Sequence, residues 1–328
     1  MSDSLPIAPD ASFRAATRGV RAALGAAVHI QDALATLEQL RRGDEPARTA
    51  RVLPLESGPF CARRVPGRAE PGFAAFLDGV QQSRVVAYVD GAPIVHGTAA
   101  AAIRERRDRR LHTWMSRVEH RLYAPRQHLA PAIWASLAAL SPVDSSAQGG
   151  DEPPPSRHPL NTLERTVHLV EGHREALEQR LAERWCDSES RPLFVDGGIS
   201  GSERVARSER VVGVVKSHRT LYAVEDAVEI VFRLGPGERT SVFLIEPKRR
   251  SAVVSWYLRL RDPAGRDPTF GLVRIEVSRY PDDEIAARAD AVSRWVLAEG
   301  APLALPDARW DRMAYGIRDS EEYLKSIT

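Results

Sequence analysis

Two Asp-Gly pairs, each closing a short apolar segment, are the residues of this chain best suited to chemistry. Asp78-Gly79 follows Phe76-Leu77, and Asp196-Gly197 follows Leu193–Val195. A carboxylate at the end of a buried strand costs free energy unless it is paired. Two such carboxylates gathered around divalent ions serve phosphodiester hydrolysis, because the ions stabilise the attacking and leaving oxygens. Asp-Gly is also a common hairpin turn, so a purely structural role for both pairs is the alternative, and it predicts carboxylates far apart.

A third carboxylate is expected from a helix beside these strands. The helix predicted over 160–185 offers Glu171, Glu175 and Glu178 along one face. We favour Glu175 or Glu178, because that end of the helix must approach the strand that begins at Leu193. A solvated helix face is the alternative explanation for each glutamate.

Basic residues that could bind phosphate follow the later strands. Lys216 ends the apolar segment Val211–Val215, where it could bind a phosphate or activate water as a compact cation. An edge-strand lysine that discourages aggregation is an equally good explanation. The cluster Lys248–Arg250 could contact a nucleic-acid backbone. The glycine-rich stretch 197–202 lacks the P-loop pattern, so we reject a nucleotide-binding loop there.

Composition is that of an ordinary globular protein. The 328 residues are 43% hydrophobic and 27% charged, with a net charge of +2. We expect no membrane span, since no run of 18 apolar residues occurs, and we find no signal-peptide pattern. The two cysteines, Cys61 and Cys186, fit neither a disulfide scaffold nor a zinc site, so a reduced cytoplasm is the expected compartment.

The hydrophobic periodicity predicts alternating strands and helices. Strands are predicted at about 73–78, 84–89, 92–96, 193–196, 210–216, 240–246, 252–261 and 270–278. Helices are predicted at about 22–40, 98–123, 160–185, 223–234 and 281–299. An Asp90-Gly91 turn joins the second and third strands.

Three strands followed by a helix are how an RNase H-like core opens. We therefore predict an α/β fold, an RNase H-like mixed β-sheet flanked by helices. Residues 1–70 are expected to form an N-terminal helical extension with an irregular connection, and residues 71–328 the main domain. The polar stretch 141–159 is predicted to be a flexible insertion in that domain.

Several short motifs in this arrangement resemble the NurA family of prokaryotic DNA end-processing nucleases. The resemblance covers about residues 70 to 328. It rests on Phe76–Gly79, the helix glutamates, Phe194–Gly197, Arg210–Lys216, Ser255–Leu260 and Gly271–Glu276.

The resemblance implies manganese-dependent (or magnesium-dependent) cleavage of DNA ends. Asp78 corresponds to the first acid of that family and Asp196 to its later strand-end acid. It also implies a homodimer that works with a hexameric HerA-type DNA translocase in DNA repair or phage defence. In the resulting hypothesis Asp78, Asp196 and Glu178 bind metal, Glu175 is the other helix candidate, and Lys216 assists at the phosphate.

One departure from that family pattern concerns its closing Tyr-Pro…Ala-His block. Ala301 and Arg309 stand where the tyrosine and histidine are expected, and an alignment on Tyr280-Pro281 places Ala287-Arg288 at the histidine step. Either alignment loses the histidine. The alternative function is therefore a non-catalytic relative that binds DNA or docks a translocase as an adaptor.

Overall fold

The computed structural model contains one large mixed β-sheet with helices packed against it. It describes residues 9–25, 30–31, 48–108, 110–147, 158–223, 227–248, 250–281, 283–300 and 314–328. The strands of these residues are β1 (Ile30–Gln31), β2 (Arg48–Arg51), β3 (Leu53–Pro54), β4 (Ala62–Arg64), β5 (Ala75–Val89), β6 (Ala92–Arg107), β7 (Arg110–Ala124), β8 (Val143–Asp144), β9 (Leu193–Asp196), β10 (Val211–Val215), β11 (Thr220–Ala223), β12 (Glu238–Thr240), β13 (Phe243–Ile245), β14 (Val253–Arg259) and β15 (Leu272–Val277). The α-helices are α1 (Pro9–Leu24), α2 (Pro131–Leu137), α3 (Pro159–Ser188), α4 (Glu203–Ala206), α5 (Val228–Arg233), α6 (Ile285–Glu299) and α7 (Tyr315–Ile327).

The order of the central strands is β7-β6-β5-β9-β10-β15-β14-β13. Strands β5, β6 and β7 form an antiparallel meander, whereas β9 runs parallel to β5 and β10 runs parallel to β9. This arrangement agrees with an RNase H-like core. The predicted α/β fold, a mixed sheet flanked by helices, is confirmed.

The predicted helix over 98–123 is wrong, because these residues form most of β6 and β7. The four residues Ala99–Ala102 explain the error, since alanine has the highest helix propensity. In the strand their side chains alternate between two hydrophobic clusters. Ala99 and Ala101 lie with residues of α3, and Ala100 and Ala102 lie with Leu324 of α7. Small side chains on both faces let one helix pack closely on each side of the sheet.

The first two predicted strands are a single long strand, β5, and Asp78 lies inside it rather than at its end. Residues Gln81–Ser83 have the polar composition of a turn, but they continue the ladder with β6. The Asp90-Gly91 turn is confirmed, since both residues have positive φ angles, 48° and 80°. Positive φ at both central residues matches the right-handed twist of a hairpin.

Helix α3 confirms the helix predicted over 160–185 and covers one face of the sheet. Its buried residues Leu177, Leu181 and Trp185 pack in the largest hydrophobic cluster. Helix α6 packs with β14 and β15 in a second cluster, on the side of Phe76. The chain end, which carried no predicted element, forms α7.

The N-terminal segment contributes α1, which packs on β5 and β6 through Val20 and Leu24. Most of the helix predicted over 22–40, most of the stretch 141–159, and the positions Ala301 and Arg309 lie outside the described residues. Strands β2 to β4 pair with strands from the second half of the chain, so the expected boundary at residue 70 stays a prediction. In the described part of the chain, none of the helices has the length and apolarity that a membrane crossing requires.

Candidate active site

The pairing of β5 with β9 brings Asp78 and Asp196 together. The last paired positions are Leu77 and Val195, so each aspartate is the next residue on its strand. Strand β9 ends at Asp196, whereas β5 continues to Val89. The two carboxylates therefore lie at the point where β9 ends and β5 continues without a parallel partner strand. If both Asp-Gly pairs were only turns, the two aspartates would be expected to lie far apart. Instead, Asp196 lies close enough for its charge to raise the pKa of Asp78.

Asp78 is the most buried carboxylate of this group, with 9% of its surface exposed. Burial raises its pKa well above the usual value, and the charges of Asp196 and Glu178 raise it further. The pKa of Asp78 is lowered in turn by the charge of Lys216 and by a hydrogen bond that the Gly79 backbone N–H donates to Asp78 Oδ1 (2.8 Å). A buried carboxyl group whose ionisation is opposed by neighbouring carboxylates lies in a site that favours a cation.

Lys216 lies beside these carboxylates, directly after β10. Parallel pairing aligns Val214 with Asp196, which places the end of β10 next to the end of β9. The Lys216 Nζ atom donates a hydrogen bond to Asp196 Oδ2 at 2.8 Å, and both side chains are partly exposed. The structure thus brings the predicted lysine to the acids, and its ammonium group neutralises part of their charge.

Glu178 reaches the same place from α3. Its carboxylate forms an ion pair with Arg174, one helical turn earlier, and it lies against Gly79. A Cβ atom at position 79 would overlap Glu178 Oε1 and lie 3.0 Å from Arg174 Cγ. Only glycine leaves room for this glutamate. Gly79 therefore lets Glu178 pack closely against strand β5, and the Asp78-Gly79 pair does not form a turn.

The environment of Glu178 changes its protonation behaviour. Burial raises its pKa to about 7, and the nearby charges of Asp196 and Glu175 add to this effect. The Arg174 guanidinium opposes it through its charge and its hydrogen bond. A carboxyl group with such a pKa changes its protonation state near neutral pH, which suits it to proton transfer.

Glu175, the other helix candidate, lies at the rim. Its side chain is 44% exposed, and its Oε1 atom is 3.7 Å from the nearest guanidinium nitrogen of Arg174. Of the two predicted helix glutamates, Glu178 is therefore the one that the structure places beside Asp78 and Asp196.

A cavity of about 120 Å³ opens beside these residues. Its lining includes Asp196, Glu178, Glu175, Arg250 and, from the glycine-rich loop, Gly197, Gly198, Ile199 and Gly201. This lining places the last residue of the predicted basic cluster 248–250 next to the acids. The loop itself is fixed by Glu276, whose Oε2 atom accepts a hydrogen bond from the Ile199 backbone N–H at 2.8 Å.

Arg174, Gln81 and Glu276 are residues of this site that the sequence did not reveal. The position of Arg174 four residues before Glu178 is a recognisable ion-pair spacing, and it could have been found. Glu276 pairs with Arg274 inside an otherwise apolar strand, at 2.6 Å. A buried charge in such a strand is a signal of its own.

The donor set suits a hard divalent cation only in part. Among the described residues, no three His, Cys, Asp or Glu side chains form a group that could hold a metal ion. Mg²⁺ commonly uses one or two protein carboxylates and completes its octahedral shell with water and phosphate oxygens. Asp78 and Asp196 meet that smaller requirement, and Glu178 is the nearest further carboxylate.

Comparison with known proteins gives a limited result. No protein-family model matches the chain, and no curated protein matches it. Among solved structures, the chain is similar to the NurA nuclease from Sulfolobus solfataricus, with a TM-score of 0.48 and 10% identity over 80% of this chain and 82% of that one. It is also similar to the catalytic domain of human Endonuclease V, with a TM-score of 0.29 and 15% identity over 95% and 93% of the two chains. At these values the similarities establish no activity, and the functional argument rests on the site.

Proposed function

We propose that this chain is a metal-dependent nuclease that hydrolyses phosphodiester bonds of DNA. The observation that carries the proposal is the meeting of Asp78 and Asp196 at the ends of paired parallel strand segments, with Glu178 and Lys216 beside them. Oxygen donors of this kind select hard cations such as Mn²⁺ or Mg²⁺.

Asp78, Asp196, Glu178 and Lys216 each have a role in this proposal. Asp78 and Asp196 hold the cation, which supplies charge stabilisation to the attacking and leaving oxygens. Glu178 is a third carboxylate whose pKa, raised by burial to about 7, lets it take up a proton near neutral pH. Lys216 orients Asp196 and adds positive charge where a phosphate would lie.

A DNA strand has a path to these residues. A surface groove of about 1010 Å³ shares Gly201 and Ser202 with the cavity of the acids. Its lining contains three arginines, Arg204, Arg207 and Arg210, together with three glutamates, Glu183, Glu203 and Glu209. Guanidinium groups suit phosphate contacts because they donate in pairs. Arg250, on the cavity wall, is the nearest exposed candidate for a contact with the backbone.

The test is digestion of end-labelled linear DNA by the purified protein in Mn²⁺. Asp78→Asn and Asp196→Asn should abolish cleavage, because each removes a cation ligand while keeping the side-chain shape. Asp90→Asn is the matched control, since Asp90 belongs to a true Asp-Gly turn at the far end of β5 and Asn-Gly suits the same turn. Cleavage that survives both site substitutions would contradict the proposal.

A non-catalytic adaptor is the second candidate, and the ion pairs of the site favour it. Asp196 and Glu178 already bind Lys216 and Arg174, so two of the three expected ligands are neutralised without a metal. Mn²⁺ separates the two functions, because a competent site raises the melting temperature by mass action. An adaptor should show neither the shift nor cleavage.

The proposal extends to partners through the sequence resemblance alone. A homodimer and a HerA-type hexameric translocase are the expected assembly. Light scattering during size-exclusion chromatography would measure the first, and co-purification with such a translocase the second. A monomer that cleaves DNA alone would contradict this extension and leave the nuclease proposal intact.

A further inference from the structure

Arg174 places a guanidinium group inside the candidate active site without having been assigned a role in the reaction. It lines the cavity together with Asp196 and Glu178, and 19% of its side chain is exposed. Its Nη1 nitrogen donates a hydrogen bond to Glu178 Oε1, and its Nε nitrogen donates a hydrogen bond to Gln81 Oε1 at 3.1 Å. The side chain is thus held on a helix and on a strand at once.

The surroundings give Arg174 a permanent charge. Burial alone would lower its pKa, but the charges of Glu178, Glu175 and Glu171 and its hydrogen bond to Glu178 outweigh burial and raise the pKa. A guanidinium is less strongly hydrated than an ammonium, so it is the cation best suited to such a partly buried position.

One edge of this guanidinium is not fixed by a carboxylate hydrogen bond. The Nη2 nitrogen lies 3.7 Å from Glu175 Oε1, which is within ion-pair distance but too long for a hydrogen bond. Nε is held by Gln81, a neutral amide, so Glu178 supplies the carboxylate hydrogen bond of this guanidinium. The group is therefore pre-oriented beside the acids and keeps donors for an additional anionic oxygen.

We propose that Arg174 binds a non-bridging oxygen of the scissile phosphate. The inference rests on the proposed nuclease function and adds a substrate-binding residue to it. A cation held by the two aspartates would attract the phosphate, and Arg174 would supply donors from the α3 side of the cavity that Asp196 and Glu178 line. If Arg174 served only as the counter-ion of Glu178, its removal would strengthen cation binding and leave DNA binding unchanged.

Equilibrium binding tests this without cleavage. We would measure the affinity for a short fluorescent single-stranded DNA in Ca²⁺, a cation that takes oxygen ligands. Arg174→Gln should weaken binding by about tenfold, the usual scale for losing a charge-assisted contact. It should also lower the slope of affinity against salt concentration by about one phosphate contact. Arg174→Lys should weaken binding less, since it keeps the charge and loses the paired geometry.

Arg180→Gln is the matched control on the same helix. Its side chain is 52% exposed, it pairs with Glu119, and it does not line the cavity, so DNA affinity should change little. Mn²⁺ binding, followed by electron paramagnetic resonance, supplies the second measurement. DNA affinity equal to wild type in Arg174→Gln would overturn the proposal, and tighter Mn²⁺ binding in the same variant would identify Arg174 as a counter-ion of Glu178.

Two further outcomes are informative. If Arg174→Gln does not fold, Arg174→Lys is the test variant. Wild-type DNA affinity and an unchanged KM for DNA cleavage in Arg174→Lys would then contradict the proposed contact between the guanidinium and the phosphate. Failure of the nuclease function itself is distinguishable, because it appears as no cleavage by the wild type in Mn²⁺ or as cleavage that survives Asp78→Asn and Asp196→Asn, whatever Arg174→Gln does to DNA affinity.

Discussion

Glu178→Gln should stabilise the protein by an amount that grows with pH. Burial raises the pKa of Glu178 from 4.5 to about 7, although the Arg174 guanidinium opposes the shift. The folded state therefore keeps this proton to a higher pH than the unfolded chain does. The stability that comes from the bound proton is complete below about pH 4.5 and is lost as the pH rises through about 7.

The size of the effect follows from the shift. At about 1.36 kcal/mol per pKa unit, a change from 4.5 to about 7 corresponds to about 3 kcal/mol between low and high pH. Glutamine keeps the shape and does not titrate. A difference between variant and wild type that does not depend on pH cancels when the low-pH value is subtracted, and the attraction of the ionised carboxylate to Arg174 is already included in the pKa shift.

Urea unfolding in the presence of EDTA, at about pH 4 and about pH 8, measures this difference. The variant should gain up to about 3 kcal/mol on wild type between the two conditions. Glu175→Gln is the control, because it makes the same substitution at a 44% exposed side chain of the same helix. A difference for Glu178→Gln that stays constant between the two pH values would refute the reasoning that burial controls this carboxyl group.

Three further predictions concern other parts of the molecule. Gly79→Ala should lower the free energy of unfolding by about 1–3 kcal/mol, because its Cβ would overlap Glu178, and it should abolish cleavage. Calorimetry measures the first effect and the DNA assay the second. Arg239→Met should lower the free energy of unfolding by about 3–5 kcal/mol in urea, because Arg239 is 2% exposed and pairs with two acids. Its removal leaves Glu56 with the partly exposed Arg63 and takes the ion-pair partner from Asp290. Burial lowers the pKa of His96 from 6.5 to about 4. The free energy of unfolding of the wild type should therefore fall by up to about 3 kcal/mol as the pH drops from 6.5 to about 4, and His96→Gln should remove this pH dependence in the same unfolding measurement.

The sequence predicted the acids of the site better than the elements that carry them. Asp78, Asp196 and Glu178 could be grouped because a carboxylate after an apolar segment and a glutamate on a helix are local patterns. The long strands could not be predicted in the same way. Ala99–Ala102 have the propensity of a helix, and their role as strand residues depends on burial on both faces, which only the packed helices decide.

The same limit explains what was missed within the site. Gln81 lies in a stretch whose polar composition indicates a turn, yet its amide holds Arg174 across the sheet-to-helix contact. That contact joins residues far apart in the chain, and no spacing rule along one element predicts it. Glu178 was one of three plausible helix glutamates, and the space above Gly79 selects it.

The join between β5 and β9 has a mechanical consequence. Only three register positions pair these strands, whereas β5 pairs with β6 along nearly its whole length. The spacing of Asp78 and Asp196 therefore depends on a short parallel contact between β5 and β9. A substitution that weakens this contact is expected to alter the spacing of the two carboxylates without changing either of them.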